Sequence, residues 1–368
     1  MSKEIGTVSA AAVAAKNKLS SQFFKKGVSI ALLSGLMYGF YSAFLTLGMS
    51  KGVWGDWYGV NTAGLSVFAI TFLLGAIGSA VNDTCSAVWA LFYAGFRGKL
   101  GDFFRCIKTT PGRMMILAAL VGGPISSIAY IVGLQMAGSI VIPITALCPA
   151  VGAILARMLY KQKLTKRMVL GILICVVASL MIGSTSISGD APEGMFLGIC
   201  IAFIAAIGWG FEGCVAGYGT SMIDAEIGIA IRQTISGLSN LIILVPIFGI
   251  MAGGMKISTS LTIQAFTSGP AMIWFVISGL CAFVSYMAWY RGNSMCGAAL
   301  GMACNGTFSF WGPFCCWIIL GVFAGMEGWA LPPIVWIAAL LMVFGILVIA
   351  MNPMDLFKKK GVSKYESA

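Results

Sequence analysis

The sequence predicts an all-α integral membrane protein with ten transmembrane helices arranged as two inverted five-helix repeats. Composition is the first reason: 59% of the 368 residues are hydrophobic and only 10% are charged, whereas a soluble domain carries about 25% charged residues. The second reason is that apolar stretches of about 20 residues, enough to cross a hydrocarbon core of about 30 Å, recur along the chain. They lack the period-two alternation of barrel strands, which leaves helices.

The third reason is an internal repeat at about half the chain length. Residues 38–42 read Tyr-Gly-Phe-Tyr-Ser, and residues 209–213, about 171 positions later, read Trp-Gly-Phe-Glu-Gly. The order of aromatic residue, glycine, phenylalanine and polar residue is the same, which indicates a duplication with two non-identical halves. Because five spans per half is an odd number, the second half would enter the membrane in the opposite orientation.

The expected elements follow in chain order. Residues 1–27 would be a cytoplasmic N-terminal segment, residues 28–185 the first five-helix repeat, residues 194–352 the second, and residues 353–368 a cytoplasmic basic tail. The apolar stretches place the ten spans at about 28–49, 68–97, 113–134, 139–160, 167–185, 194–219, 226–252, 270–290, 296–322 and 332–352.

The basic residues indicate the topology. They concentrate beside alternate span ends, at 16–26, 97–113, 157–167 and 358–364. In a ten-span arrangement these groups all fall on one side, which the positive-inside rule assigns to the cytoplasm. This distribution therefore predicts a multi-pass cell-membrane protein with both termini inside. It also accounts for the net charge of +11, so no nucleic-acid partner is expected. The loop with Asp224 and Glu226 is an acidic exception on that side.

The second span has two placements, because its apolar stretch is longer than one crossing needs. A crossing at about 70–97, which aligning the two halves favours, puts Asp83 well inside the membrane. A crossing at 62–82 would leave Asp83 at the inner interface. In the first case Asp83 is a candidate site for a coupling ion, either a proton or sodium, with Asn82 and Thr84 as oxygen neighbours.

Glu212 is the most informative polar residue, because a carboxylate at the bilayer centre costs roughly 2.5–3.5 kcal/mol. Glu212 lies 10 residues before Met222, in the loop between the sixth and seventh spans, and Arg232 lies 10 residues after it. In an antiparallel helix pair these positions reach the same depth, so the two side chains can pair. Glu212 is also a candidate to face a cavity and to bind a proton or a cationic substrate group. The two roles are compatible.

Aromatic and amide side chains inside the spans are further candidates for substrate binding. Rings with amide and hydroxyl groups suit stacking on a sugar or nucleobase, and rings beside a carboxylate suit a quaternary ammonium ion through cation–π attraction. These candidates are Trp89, Tyr286 and Asn305, together with Tyr38, Tyr41 and Trp209 of the repeated segments.

Several kinds of chemistry are not expected. The chain has no histidine, its cysteines show no zinc-ligand spacing, and it lacks the Gly-Lys-Ser/Thr loop that binds the phosphates of ATP. No nucleophile and base stand in a recognisable catalytic pattern. We therefore expect no enzyme activity, no cofactor and no metal site.

A resemblance to a known family rests on two features that recur in both halves and on two residues of the second half. The matching residues are the aromatic-Gly pairs Tyr38-Gly39 and Trp209-Gly210, the fourth-helix prolines Pro149 and Pro313, and the second-half residues Arg232 and Glu327. On these residues the chain, over about 28–352, resembles the drug/metabolite transporter superfamily in its ten-helix form with two EamA-type halves. The resemblance implies an inverted repeat, a central cavity and secondary transport, but no particular substrate.

The expected function is secondary transport of a small polar organic metabolite by alternating access, with proton or sodium coupling. A sugar-like or zwitterionic solute is favoured, because Arg232 would cancel the charge of Glu212. Two alternatives stay open: an organic-cation transporter that uses Glu212 and an aromatic cage, and a lipid-linked sugar flippase. The expected partners are the solute, membrane lipid and the coupling ion, and the protein would be a monomer or a homodimer.

Overall fold

The computed structural model describes residues 10–161, 165–185, 194–220, 222–296 and 298–350. Every regular element in these ranges is helical, as the sequence predicts. The main helices are α1 (Ala10–Gly48), α2 (Leu74–Phe96), α3 (Thr110–Leu120, continuing through Val121–Ser127 to Ile128–Ala137), α4 (Val141–Thr145 and Cys148–Tyr160), α5 (Lys166–Ser184), α6 (Met195–Thr220), α7 (Ala225–Ser239, continuing through Asn240–Leu244 to Val245–Met251), α8 (Gly269–Cys296), α9 (Ala298–Asn305 and Phe308–Cys316, continuing through Trp317–Phe323) and α10 (Pro333–Ala350).

Within the described ranges, seven helical stretches are long and apolar enough to cross a membrane: Gln22–Gly48, Thr110–Thr145, Met195–Ala216, Ala225–Met251, Gly269–Cys296, Leu300–Phe323 and Pro333–Ala350. Thr110–Thr145 contains α3 and the start of α4. Gly138 separates these two helices with a φ of 65°, a backbone conformation that glycine adopts without a steric penalty. The described part of the chain is thus helical throughout its regular elements, and these seven stretches contain about half of the 368 residues.

The helix boundaries lie close to the predicted span edges, with differences at the ends. The helix α1 begins at Ala10, so residues 10–27 of the predicted N-terminal segment continue the first helix. Alanine, lysine and leucine favour helix there. A further short helix, Met255–Thr267, precedes α8. The predicted tail at 353–368 lies outside the described residues.

The position of α2 bears on the two placements of the second span. A π-helical turn, Ala69–Leu73, leads into α2, which ends at Phe96. This helical segment coincides with the placement at about 70–97, whereas residues 62–66 of the other placement precede it. Asp83 lies near the middle of α2 and is only 3% exposed.

The helices of the two halves pack on one another in a regular pattern. The helix α1 packs on α8 and α9, and α6 packs on α3 and α4. The helix α2 packs on α7, and α5 packs on α10. The interior is therefore lined by helices from both halves of the chain.

Four of these helices are irregular near their middle. The helix α3 contains a π-helical segment, Val121–Ser127, with Pro124 inside it, and α7 contains another at Asn240–Leu244. The helices α4 and α9 are each interrupted, after Thr145 and after Asn305 respectively. Irregular backbone at membrane depth is tolerated where it is buried in protein or lines a cavity, and π-helical turns often occur at functional sites.

Candidate functional site

Glu212 on α6 and Arg232 on α7 form a buried ion pair. Arg232 Nε donates to Glu212 Oε1 at 2.8 Å, and Arg232 Nη2 donates to Oε2 at 3.2 Å. Both side chains are 1% exposed. Two parallel N–H···O bonds are the strongest geometry that a guanidinium and a carboxylate can form. The predicted pairing of these two residues is confirmed.

Arg232 is surrounded by acceptors on every side. Its Nη1 donates to Gln233 Oε1 at 2.8 Å, and its Nη2 lies 3.0 Å from the Tyr286 hydroxyl oxygen and 3.3 Å from the Gly122 carbonyl oxygen. The guanidinium carbon also lies 4.1 Å from the centre of the Tyr286 ring, within cation–π range. These contacts hold the positive charge in one place between α3, α6, α7 and α8.

Gly122 in the π-helical part of α3 allows this close approach. A Cβ atom at this position would collide with the Glu212 carboxylate. The Gly122 carbonyl also accepts a hydrogen bond from the indole of Trp209 at 3.0 Å. The carbonyl therefore holds Trp209 and Arg232, two predicted site residues, at the same point.

An aromatic cluster lies beside the ion pair. The ring of Tyr38 stacks on Phe308 at 4.3 Å between centroids and meets Tyr41 and Trp209 edge-on at 5.2 and 6.0 Å. Tyr130 lies 5.3 Å from Trp209. Edge-to-face and offset contacts at such distances are favourable, so the rings form a fixed wall contributed by both halves.

A small cavity separates the aromatic wall from the carboxylate. Its volume is about 30 Å³, and a buried water needs about 10–15 Å³, so it holds about two waters. The cavity is therefore too small for an organic solute, and binding one would need the lining helices to separate. The lining residues are Tyr38, Cys148, Pro149, Trp209, Glu212, Ser285, Tyr286, Trp289, Met302, Asn305 and Phe308.

Asp83 forms a second polar centre at the contact of α2 and α7. Its Oδ2 accepts a short hydrogen bond from the Ser236 hydroxyl and one of 3.1 Å from Asn240 Nδ2. Its Oδ1 accepts from Asn82 Nδ2 at 3.4 Å. Asn82 thus faces Asp83 with its nitrogen and not, as the sequence predicts, with its oxygen.

One helix links the two centres. Arg232, Ser236 and Asn240 follow one another at four-residue intervals along α7, which places them on one face of the helix. The first contacts Glu212, and the other two contact Asp83. A movement of α7 would therefore reach both carboxylates.

Most predicted site residues come together, although not all of them line the cavity. Tyr38, Trp209, Glu212, Tyr286 and Asn305 line it, whereas Tyr41 packs behind Tyr38 and Arg232 lies behind Glu212. Trp89 lies apart, and this prediction does not fit the cluster. Its indole donates to the Val276 carbonyl at 3.1 Å, on the outer side of α2 and α8.

Sequence reasoning missed Gly122 and Ser236. Ser236 lies one helical turn beyond Arg232, so that spacing was the signal that could have found it. Gly122 carries no such signal, because its importance depends on how closely α3 approaches α6.

Comparison with known proteins assigns no function to these residues. No protein-family model matches the chain, and no curated protein matches it. A solved structure described only as "Crystal structure of protein" aligns with 89% of this chain and 97% of its own, at 16% sequence identity and a TM-score of 0.49. A likeness at that level carries no argument about fold or function.

Proposed function

We propose that the protein is a secondary transporter that moves a small polar organic metabolite across the cell membrane by alternating access. The observation that carries this proposal is the Glu212–Arg232 pair, a buried ion pair that borders a small cavity between apolar helices. Ionisable residues inside such helices are costly, and they commonly mark a substrate or ion pathway. The protein would not be an enzyme.

The membrane arrangement we propose has ten spans in two inverted halves, with both termini in the cytoplasm. The packing pattern supports it, because each relationship has a counterpart: α1 on α8 and α9 corresponds to α6 on α3 and α4. The interruptions in α4 and α9 also correspond. Inverted repeats of this kind place a site near the midplane. We propose that the chain belongs to the drug/metabolite transporter superfamily, whose ten-helix form has this arrangement.

The charge of the site favours a neutral or zwitterionic solute, such as a sugar-like metabolite or an amino acid. Arg232 neutralises Glu212 through two hydrogen bonds, so the pair adds no net charge to the cavity. Arg232 also lies against the Tyr286 ring, and that face is therefore unavailable to a ligand cation. A zwitterion could exchange its own charged groups for those of the pair, one for one.

The small cavity fits a stage of alternating access in which no organic solute is bound. Separation of the two halves would open it, with the interrupted helices α4 and α9 beside it as flexible points. We propose that the movement is coupled to a proton or a sodium ion, for which Asp83 and Glu212 are the two carboxylates available among the described residues of the membrane interior.

The aromatic wall supports a second candidate, transport of an organic cation. Tyr38, Trp209, Trp289 and Phe308 all line the cavity with Glu212, and such rings attract quaternary ammonium ions. This requires Arg232 to release Glu212 when the cation arrives. A lipid-linked sugar flippase remains a third candidate and would require an opening toward the lipid.

The test is solute uptake by the purified full chain in proteoliposomes, guided by a thermal-shift screen of sugars, amino acids, nucleosides and choline. We expect a neutral or zwitterionic solute to stabilise the protein and to accumulate under an ion gradient. Tyr286→Phe should reduce uptake about fivefold, the equivalent of one hydrogen bond of about 1 kcal/mol. Phe92→Leu is the matched control, since Phe92 is 67% exposed on the outside of α2.

Three outcomes would contradict the proposal. Tight choline binding that Glu212→Gln abolishes would favour the organic-cation candidate. Movement of a lipid-linked sugar alone would favour the flippase. Uptake of no solute by a folded, reconstituted protein would remove secondary transport altogether.

A further inference from the structure

Asp83 is a buried carboxylate without a partner cation. No Lys, Arg or other cation in the described ranges lies within ion-pair distance of it. The buried membrane centre formed by Asp83, Glu212 and Arg232 carries one negative charge in excess if all three are ionised. Because an uncompensated charge is costly there, binding of one proton or one monovalent cation would neutralise the centre.

The groups around Asp83 suit a proton better than a metal cation. Ser236 donates its hydroxyl hydrogen to Oδ2, and both Asn240 and Asn82 present amide nitrogens to the carboxylate. A sodium ion would instead need several oxygen atoms turned toward one point, as hard cations prefer oxygen ligands. The three side chains that contact the Asp83 carboxylate, those of Ser236, Asn240 and Asn82, all present hydrogens to it and turn no oxygen lone pair toward a shared point beside it.

Asn82 offers a way to accommodate the proton. In the described arrangement Asn82 Oδ1 accepts from the Ser278 hydroxyl at 2.7 Å, and Asn82 Nδ2 donates to Asp83 Oδ1. Rotating the amide by half a turn exchanges its oxygen and nitrogen. The oxygen would then accept a proton carried by Asp83 Oδ1, and the nitrogen would donate to Ser278 Oγ.

Ser278 has a second acceptor ready for that state. Its Oγ lies 3.1 Å from the Tyr41 carbonyl oxygen on α1, but a hydroxyl has one hydrogen to donate. With Asn82 reversed, that hydrogen would go to Tyr41 alone. Each donor therefore faces an acceptor in both states, and the protonated state would strengthen the contact between α8 and α1.

We propose that Asp83 binds one proton on Oδ1, and that the Asn82 amide and the Ser278 hydroxyl reverse their hydrogen bonds when it does. The proton comes from water, and no other covalent bond changes. Glu212 stays paired with Arg232 and takes no proton. The role of this site in coupling rests on the proposed transport function: the reversed Ser278 bond reaches Tyr41, whose ring contacts Tyr38 in the cavity wall.

The charged and titratable groups that act on Asp83 come from five elements. They are Arg232 on α7, Glu212 on α6, Tyr41 on α1, Tyr286 on α8 and Cys85 on α2 itself. Arg232 favours the ionised carboxylate and Glu212 opposes it. Because Glu212 holds Arg232 in a bidentate pair, the guanidinium is shared and does not neutralise Asp83.

The proposal is tested by pH-difference infrared spectroscopy of the purified full chain, which detects the carbonyl stretch of a protonated carboxylic acid. The wild type should show a buried-acid band equivalent to one carboxyl per chain. Asp83→Asn should remove that band completely. The double change Glu212→Gln/Arg232→Gln should keep it. Asp83→Glu should move it, which keeps the assignment testable if the asparagine variant is unstable.

The outcomes distinguish this proposal from the transport proposal. A band that survives Asp83→Asn, or that disappears in the double variant, overturns the proton site. Loss of the wild-type band when sodium is added at constant pH would replace the proton by sodium. An Asp83 band in a protein that transports no solute would leave the proton site standing and remove the proposed function.

Discussion

At the scale of single residues, Arg232 decides what Glu212 can do. The sequence predicts both a structural and a functional role for this carboxylate, and the structure gives it a bidentate partner that is 1% exposed. A buried pair adds little stability when compared with apolar residues, but leaving one charge alone is costly. The stability of the site therefore depends on the pairing of Glu212 with Arg232 more than on the presence of either charge.

We predict that Glu212→Gln alone is more damaging than removal of both charges. The single change leaves Arg232 buried without its carboxylate and should cost about 3–5 kcal/mol of stability. The double variant Glu212→Gln/Arg232→Gln should lose clearly less stability, because neither charge is left unpaired. Thermal unfolding of the purified variants in one detergent measures both. Equal losses in the two variants would mean that the pair is not coupled.

At the scale of helices, two features hold the site together. The π-helical segment of α3 brings Gly122 against Glu212, and ion pairs stabilise the N-terminal end of α7. Glu226, whose side chain is 4% exposed, lies 2.8 Å from Lys99 Nζ and 2.7 Å from a terminal nitrogen of Arg291. Lys99 donates hydrogen bonds to Asp224 and Glu226, and both raise the pKa of Lys99, the one to Asp224 more strongly. The acidic loop that departs from the positive-inside pattern thus serves as a counter-charge.

We predict that Gly122→Ala disrupts the contact between α3 and α6. The added methyl group would collide with the Glu212 carboxylate, and overpacking of this kind costs typically about 1–3 kcal/mol. Gly59→Ala is the control, because nothing lies within 4 Å of the position where its Cβ would be. Thermal unfolding should separate the two variants. A Gly122→Ala protein as stable as Gly59→Ala would show that α3 can move away at no cost.

At the scale of the whole molecule, the proposed inverted repeat fixes the side of the membrane on which each loop lies. Helices from both halves interleave around the cavity, so neither half would enclose the site alone. The basic groups that the sequence places beside alternate helix ends give the expected orientation.

We predict that reporter fusions alternate across the membrane in the proposed order. A reporter active only in the cytoplasm should work after Lys161 and after the full chain, and should fail after Thr185. A reporter active only outside should give the opposite result at the three positions. Cytoplasmic activity after Thr185 would contradict the inverted halves.

The sequence by itself determined the helical class, the approximate helix edges, the pairing of Glu212 with Arg232 and most of the aromatic wall. These follow from local quantities: apolar length, helical rise, and equal distances from a loop. Only the tertiary structure decided that Trp89 lies apart, that Gly122 lets Glu212 approach, and that Asp83 meets Ser236 and Asn240 with no cation from the described part of the chain beside it. Those facts depend on how each helix is rotated about its axis and how closely it packs on its neighbour. An almost uniformly apolar helix does not encode that rotation in its hydrophobic pattern, because every face is suited to burial.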